Sequence, residues 1–351
     1  MSEKKRETWL DITKGIGIVL VVLFHTMSGI ANSSDLPVPF SYYVVNKVIS
    51  VFFMALFFFV SGMLIHSWTR KPFGKAIKEK IIGFVVPYFC WVLIVAVEKA
   101  LTAGLQNNPI TWEKVVLSPI EMFEEYWFLY IMFFVQLVYY AFSHFHLEKL
   151  FLVISAVLFW FRFSLPNVWI VWEFAHYAIF FATGTFLHPK DLKQFIWKYK
   201  WLILAGSVVI QLLLWKLIVP AQNYIWEDRY LLVTACSGSL VTGLLSICLE
   251  KKSKFLRFFG QKSMEICCLH PTVLGGVRIL IVKSNARRLF LAVYRYCYCI
   301  DLSNIVCAFQ GMERNRSCLS DNLWQMEAAS EIVRLQLLNK QGSGCAVIMH
   351  F

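Results

Sequence analysis

The first long apolar run of the chain, residues 11–31, contains three ionisable side chains, those of Asp11, Lys14 and His25. An Asp, Lys or Arg at the centre of a membrane helix costs about 2.5 to 3.5 kcal/mol, so such residues are candidates for function. In a helix, the eleven steps from Lys14 to His25 turn the side chain about 20° beyond three full turns and rise about 16 Å. We therefore expect Lys14 and His25 on one helix face, too far apart to touch.

Histidine suits general-base chemistry near neutral pH, because its unperturbed pKa is about 6.5. His25 is therefore the candidate base, and Lys14 is placed to bind an anionic group near the cytoplasmic end of the helix. The alternative for His25 is a structural histidine, hydrogen-bonded to a neighbouring helix. Gly15 and Gly17 allow another helix or a ligand to approach closely.

Two further pairs of polar or small residues are weaker candidates. Ser61 and Gly62 interrupt a wall of phenylalanines in the second apolar run, which permits close helix contact, and ordinary small-residue packing explains them as well. Glu173 and His176 are three residues apart, so a helix would place them on one face as an acid–histidine pair. The alternative is an interfacial pair near the outer lipid headgroups.

The composition excludes a water-soluble fold and predicts a membrane protein. Hydrophobic residues make up 58% of the chain and charged residues 16%, whereas soluble domains average roughly 45–50% and 25%. The net charge of +12 could suggest nucleic acid, but the basic residues lie in short loops between apolar runs. Because cytoplasmic loops are enriched in Lys and Arg, we interpret them as a topology signal and expect no nucleic-acid partner.

Nine apolar runs predict an all-α polytopic integral membrane protein with about nine transmembrane helices. A helix needs about 20 apolar residues to cross roughly 30 Å of hydrocarbon. The runs cover residues 11–31, 44–66, 81–102, 123–143, 149–164, 168–187, 200–219, 229–249 and 263–283. The basic cluster Lys4, Lys5 and Arg6 places the N-terminus in the cytoplasm, and the basic and acidic connections then alternate consistently.

The character of the chain changes after Lys283. Residues 284–351 contain no clean 20-residue apolar run and hold five of the ten cysteines, and no CxxC spacing typical of a zinc site occurs anywhere. We predict a membrane domain over residues 1–283 and an atypical C-terminal segment over 284–351. That segment could be a soluble or disordered tail or the product of an aberrant reading frame. We expect no metal site.

Three sequence motifs and three weaker ones resemble those of the acyltransferase-3 family of membrane acyltransferases, close to bacterial sugar O-acetylase-like members. Lys14 and His25 match its basic residue, ten spacer residues and histidine. FFFVSGML at residues 57–64 matches its second-helix signature, and a basic loop at residues 70–80 leads to the pair Pro87-Tyr88 as in the family. Weaker echoes are Trp127-Phe128-Leu129, the FFATG stretch of residues 180–184, and GQKSMEICCLH ending at His270.

The resemblance implies an enzyme that transfers an acyl group from acetyl-CoA or another acyl-CoA to a hydroxyl of a cell-surface glycan or glycolipid. It assigns His25 as the catalytic base and includes Asp11 in the catalytic set, where Asp11 could orient Lys14 or a neighbouring helix. It also assigns Lys14, Arg70, Lys71 and Lys75 to the phosphates of CoA. Residues that contact the substrate or pack near the site would be Ser61, Gly62, Glu173, His176 and His270.

Two departures from the family pattern also bear on function. Phe24 stands where the family often has glycine before the histidine, and the family's tenth helix is expected where the atypical segment begins, so an inactive copy is a further possibility. The rival class is a transporter or flippase, which would more often show paired halves or broken helices, and no such symmetry is visible. A bacterial inner membrane, with lipid and a carbohydrate acceptor as partners, fits best. The acceptor sugar, the acyl group and the oligomeric state stay open.

Overall fold

A computed structural model describes residues 7–33, 40–101, 112–121, 123–166, 168–218 and 229–283. These residues form helices and no strand. The helices are α1 (Thr8–Ser33), α2 (Phe40–Leu64), α3 (His66–Thr69), α4 (Phe73–Lys80), α5 (Val86–Leu101), α6 (Trp112–Val116), α7 (Trp127–His144), α8 (Glu148–Phe161), α9 (Trp169–Thr185), α10 (Pro189–Lys198), α11 (Lys200–Ile218), α12 (Arg229–Leu249), α13 (Lys254–Gln261) and α14 (Ser263–Lys283). A π turn at Ile81–Val85 joins α4 to α5, and 3₁₀ turns at Glu124–Tyr126 and Arg162–Ser164 precede α7 and follow α8.

All nine predicted apolar runs fall on helices, but fewer of these helices meet the requirements for a membrane span. In the described residues, four helical stretches are long and apolar enough to cross a membrane, and a fifth is added if α9 and α10, bent by 91°, count as one. The four stretches are Thr8–Gly29, Phe73–Leu101, Glu124–His144 and Leu232–Leu249. The fold is therefore all-helical with four or five candidate spans, whereas nine spans and a cytoplasmic N-terminus stay predictions.

Two of the helices, α8 and α9, are each shorter than a bilayer core. At 1.5 Å per residue, the 14-residue helix α8 is about 21 Å long, which is less than the roughly 30 Å of a bilayer core. The 17-residue helix α9 is about 25 Å long by the same measure. The basic cluster Lys4–Arg6 and the predicted segment 284–351 lie outside the described residues.

Glycines bring two pairs of helices into backbone contact. A side chain added at Gly15 of α1 would collide with the carbonyl oxygen of Leu256 in α13, and one added at Gly260 of α13 would collide with that of Asp11. The close approach predicted for Gly15 is therefore made by a helix. This glycine seam between α1 and α13 holds the part of α1 that carries Asp11 and Lys14.

A second glycine seam joins α2 to α9. Gly62 lies against the backbone of Phe181, and Gly184 lies against the backbone of Phe59 and Met63. Small residues at helix interfaces allow such contact in membrane proteins. Gly62 is therefore a packing residue, and the seam fixes the rotation of α2 and with it the direction of the adjacent Ser61.

Aromatic side chains fill the space between α2, α7 and α9. The rings of Phe58 and Tyr177 are stacked 4.9 Å apart, and Trp127 stacks on Tyr177 at 5.4 Å. Phe58 and Phe181 are fully buried. This aromatic core holds the start of α7 against α2, so the residues immediately before and after Trp127 have defined positions next to the first two helices.

Candidate active site

A cavity of about 460 Å³ lies between α1, α2, α7 and α14, with α3 and α4 at one side. Most of its wall is apolar and includes the three methionines Met54, Met132 and Met264. Its polar and charged lining residues are Lys14, Ser61, Ser67, Lys71, Glu79, Lys80 and Ser263. Ligand sites are typically apolar clefts of this size with a few placed polar groups. The cavity is therefore the candidate substrate site.

Lys14 is held in the cavity wall by Asp11. The Lys14 Nζ lies 3.1 Å from Asp11 Oδ1, one turn apart on α1. Asp11 is buried, and its Oδ2 accepts a hydrogen bond of 3.4 Å from Gln261 Nε2 at the end of α13. Asp11 thus contacts both the lysine and a neighbouring helix, and it lies about 21 Å along α1 from His25.

Three basic residues line the part of the cavity near Lys14. Besides Lys14, they are Lys71, whose Nζ lies 2.6 Å from Glu79 Oε2, and Lys80, whose Nζ lies 4.8 Å from the centre of the Trp68 ring. Because cations pair readily with phosphate oxygens, this end can hold an anionic ligand.

The other two predicted basic residues occupy different positions. Arg70 lines a neighbouring cavity, which it shares with Lys71, Tyr140 and His144. Lys75 is exposed on α4 and lines neither of these two cavities. Of the four residues predicted to bind CoA, the structure therefore brings Lys14 and Lys71 together and leaves Arg70 beside them and Lys75 outside.

Ser61 presents a hydroxyl to the cavity from α2. Its Oγ accepts a hydrogen bond of 2.8 Å from Nε2 of Gln136, a buried residue of α7. The bond leaves the Ser61 O–H group available as a donor in an otherwise apolar stretch of wall. Gln136 was not predicted, and a lone glutamine in the run FFVQLVYY was its only signal.

Two histidines and a glutamate form a polar cluster beyond the cavity. His25 Nδ1 lies 3.5 Å from Glu125 Oε1, and both side chains are about one quarter exposed, at 25% and 29%. The ring of His270 lies 5.0 Å from that of His25, and Phe24 packs edge-on against His25. The structure therefore brings together His25 and His270, which belong to different predicted motifs.

The position of His270 is fixed by its own helix. Its Nδ1 lies 2.7 Å from the carbonyl oxygen of Cys267, and the residue is 4% exposed. A carbonyl oxygen can only accept, so Nδ1 carries the proton and Nε2 carries the lone pair. Among the described residues, that Nε2 has no hydrogen-bond partner.

The cluster lies one helical turn from the cavity wall on three separate elements. The lining residue Val21 precedes His25 by four positions, and the lining residue Cys267 precedes His270 by three. Phe128, also in the lining, follows Glu125 by three positions. Residues three or four apart share a helix face. The cavity therefore leads from Lys14, across a rise of about 10 Å to Val21, towards the histidine pair.

Glu173 and His176 lie in a different environment. His176 is buried, with its ring stacked on Tyr177 at 4.5 Å and packed edge-on against Trp172 at 5.3 Å. Glu173 lies one turn earlier on α9. The structure places this pair in the aromatic core, among side chains other than those that surround His25.

Two functional candidates were missed besides Gln136. Glu125 belongs to the acidic pair Glu124-Glu125 directly before the Trp127-Phe128-Leu129 motif, and Lys80 ends the basic loop at residues 70–80. Both features can be seen in the sequence, but the sequence does not show which residues Glu125 and Lys80 contact. Within the ranges that the structure describes, no group of three or more His, Cys, Asp or Glu residues is arranged to hold a metal ion.

The described part of the chain is thus a helical membrane protein with a lysine-lined cavity and a histidine pair one helical turn beyond the cavity wall. Residues 7–298 match the family model described as Acyltransferase domain. The chain therefore belongs to the acyltransferase-3 family, and it is an integral membrane enzyme that transfers acyl groups other than aminoacyl groups. No curated protein and no solved structure matches it.

Family membership decides between the two classes that the sequence left open, in favour of the acyltransferase over the transporter. The match ends at residue 298, beyond the domain boundary predicted at residue 283, and that boundary stays a prediction. An acyl donor follows from the family, whereas the identity of donor and acceptor does not.

Proposed function

We propose that the protein is an O-acetyltransferase that moves an acetyl group from acetyl-CoA to a hydroxyl of a cell-surface glycan or glycolipid, with His25 as general base. The observation that carries this proposal is the His25–Glu125 pair, which lies one helical turn beyond the wall of a cavity that is also lined by lysines. A bacterial inner membrane is the proposed location, because CoA is cytoplasmic and the basic loops indicate an inner face.

The lysine end of the cavity suits the donor. CoA carries several phosphates on its nucleotide and has a long, weakly polar arm that ends in the thioester. Lys14, Lys71 and Lys80 supply cations for the phosphates, and the apolar wall between Lys14 and Val21 accommodates the arm. Asp11 fixes the position of Lys14, so phosphates bound at Lys14 are held about 16 Å along α1 from His25.

Glu125 makes His25 a suitable base. A carboxylate can only accept a hydrogen bond, so it favours the tautomer with the proton on His25 Nδ1 and the lone pair on Nε2. It also stabilises the imidazolium that forms when Nε2 takes a proton, as the carboxylate of a serine hydrolase triad does. The separation of 3.5 Å is long for a hydrogen bond, and such contacts commonly shorten when substrate binds.

The reaction then balances in two proton movements. The acceptor hydroxyl gives its proton to His25 Nε2 while its oxygen attacks the thioester carbonyl carbon. The carbon–sulfur bond breaks, an ester forms on the acceptor, and the CoA thiolate takes the proton back from His25. The products are the acylated acceptor and free CoA, and the base returns to its starting state.

Transfer of labelled acetyl from acetyl-CoA to surface glycan, in membranes that contain the full chain, tests the proposal. We expect His25→Gln to reduce transfer by about 10²- to 10⁴-fold, the usual contribution of general-base catalysis. His66→Gln is the matched control, because His66 bonds the carbonyl oxygen of Thr185 at 2.8 Å and glutamine can keep that bond. We expect the control to transfer at the parent rate.

Equal losses in both variants at matched membrane levels would mean that His25 acts through folding and is not the base. Membranes that contain the parent and yet release no CoA from acetyl-CoA would contradict the proposed donor.

A further inference from the structure

We infer that the acceptor presents a vicinal diol, with one hydroxyl deprotonated by His25 and the neighbouring hydroxyl donating a hydrogen bond to Nε2 of His270. The inference rests on the proposed function and adds the chemical class of the acceptor. It starts from a buried nitrogen that has a lone pair and, within the described residues, no donor.

The proton positions of both rings follow from their neighbours. His270 Nδ1 faces the carbonyl oxygen of Cys267 at 2.7 Å, and His25 Nδ1 faces the carboxylate of Glu125 at 3.5 Å. Both neighbours can only accept, so each ring carries its proton on Nδ1. Both Nε2 atoms are therefore acceptors, and a ligand that satisfies the two must supply two donors.

The rings lie close enough for a single small group to serve both. Their centroids are 5.0 Å apart and their planes are tilted by 46°. Hydroxyls on adjacent carbons of a sugar also project side by side, so two neighbouring donors can face two neighbouring rings. An acceptor with one isolated hydroxyl would satisfy His25 and leave the lone pair of His270 buried and unpaired, which is unfavourable.

The two histidines have different tasks in this arrangement. The hydroxyl at His25 loses its proton to Nε2 and forms the ester, and the proton passes to the CoA thiolate. The hydroxyl at His270 keeps its proton and remains a hydrogen-bond donor throughout. His270 has no proton on Nε2 to give to the leaving group, so it binds and orients the acceptor without taking part in proton transfer.

A preference for diols in simple alcohol probes tests this inference. Membranes with the full chain receive acetyl-CoA together with vicinal cyclohexanediol, with the isomer whose hydroxyls are separated by one further carbon, or with cyclohexanol. CoA release gives total turnover, and mass spectrometry of the esters gives transfer. Because a site built to bond a hydroxyl rejects analogues that lack it, we expect kcat/KM for the vicinal diol to exceed that for cyclohexanol by about tenfold or more.

Two variants of His270 separate binding from folding. His270→Leu removes the acceptor nitrogen, so the preference for the vicinal diol over cyclohexanol should be lost. His270→Gln places an amide oxygen near the position of Nε2 and should restore part of the preference. The membrane level and the thermal unfolding of each variant check that both are folded.

Each outcome has a definite meaning. A parent that reacts equally with the three alcohols, or that releases CoA in a His25-dependent manner without acylating any of them, overturns the diol inference and leaves the proposed function standing. A diol preference that survives in His270→Leu overturns the assignment of His270. A parent with no His25-dependent CoA release overturns the proposed function and the inference with it.

Discussion

The molecule contains two places where a histidine and a glutamate occur together, and they differ in how the chain brings them about. Glu173 and His176 are neighbours on one helix and lie in an aromatic core with Trp172 and Tyr177. His25 and Glu125 are far apart in the sequence and meet one helical turn beyond the wall of a cavity. Helical spacing identified the first pair, and only the fold reveals the second.

This difference shows that an acid next to a histidine is a weak indicator of catalysis unless there is space for substrate close to the pair. The His25 cluster has lining residues one turn away on three elements. Rings of neighbouring aromatic residues pack directly against His176. A base needs room for the proton donor that it serves, and a packed ring offers little.

We expect the largest effect on acetyl transfer from Glu125→Gln, which changes the acid of the His25 pair. Glutamine no longer stabilises the imidazolium, and its amide group can donate to Nδ1 and impose the wrong tautomer. We expect kcat for acetyl transfer to fall by about 10- to 100-fold, as for partners that orient a catalytic group, with the KM for acetyl-CoA unchanged. Activity within about twofold of the parent would contradict the proposed difference between the two pairs, because Glu125 would then be no more important for transfer than Glu173.

The next effect concerns the opposite end of the cavity. Lys14→Ala removes a cation held by Asp11, and we expect the KM for acetyl-CoA to rise by about 5- to 10-fold, the value of one charge-assisted bond. S-acetylpantetheine, which lacks the phosphates, should react equally with both proteins. Lys78→Ala, an exposed lysine of α4, is the control and should leave both substrates unaffected. A loss with S-acetylpantetheine equal to that with acetyl-CoA would assign Lys14 to a role other than phosphate binding.

A smaller effect is expected from His176→Phe. Phenylalanine keeps a flat ring between Tyr177 and Trp172 with similar volume, and such exchanges are usually tolerated in a core. We expect acetyl transfer within about twofold of the parent, measured per amount of protein in the membrane. A fall as large as that of Glu125→Gln at an unchanged protein level would make the α9 histidine part of the active site.

The smallest effect is expected from Glu173→Gln. The substitution keeps the shape of the side chain and removes its charge, and the residue is half-buried beside the aromatic core. Transfer rate and KM should both equal those of the parent, within the error of the same assay. A specific loss of turnover here, without a change in thermal unfolding, would give the i, i+3 pair a catalytic role after all.

The part of the site that could be predicted from sequence lies on α1. Helical geometry alone places Lys14 and His25 on one face, and the structure puts Lys14 in the cavity wall and His25 one turn beyond the lining residue Val21. Asp11, three residues from Lys14, pairs with it as its position suggested. These relations are local, so the period of the helix is sufficient to derive them.

The partners of these residues could not be derived, because they come from distant parts of the chain. Glu125, Gln136 and His270 come close to the residues of α1 and α2 through tertiary contacts of α7 and α14, such as Phe128 on Phe57 and His270 on His25. The same limit applies to the spans. Nine apolar runs were found and each is helical, but the length and bending of each helix depend on tertiary contacts.

The three methionines of the cavity wall have a consequence for the choice of acyl group. Met54, Met132 and Met264 come from three different helices, and methionine is unbranched and adapts its shape at little cost. A wall of this kind yields to a bulkier guest, whereas one of branched side chains would reject it. The rate of acyl transfer should therefore fall only gradually from acetyl through propionyl to butyryl thioesters. The cellular supply of each thioester would then also influence which ester is made.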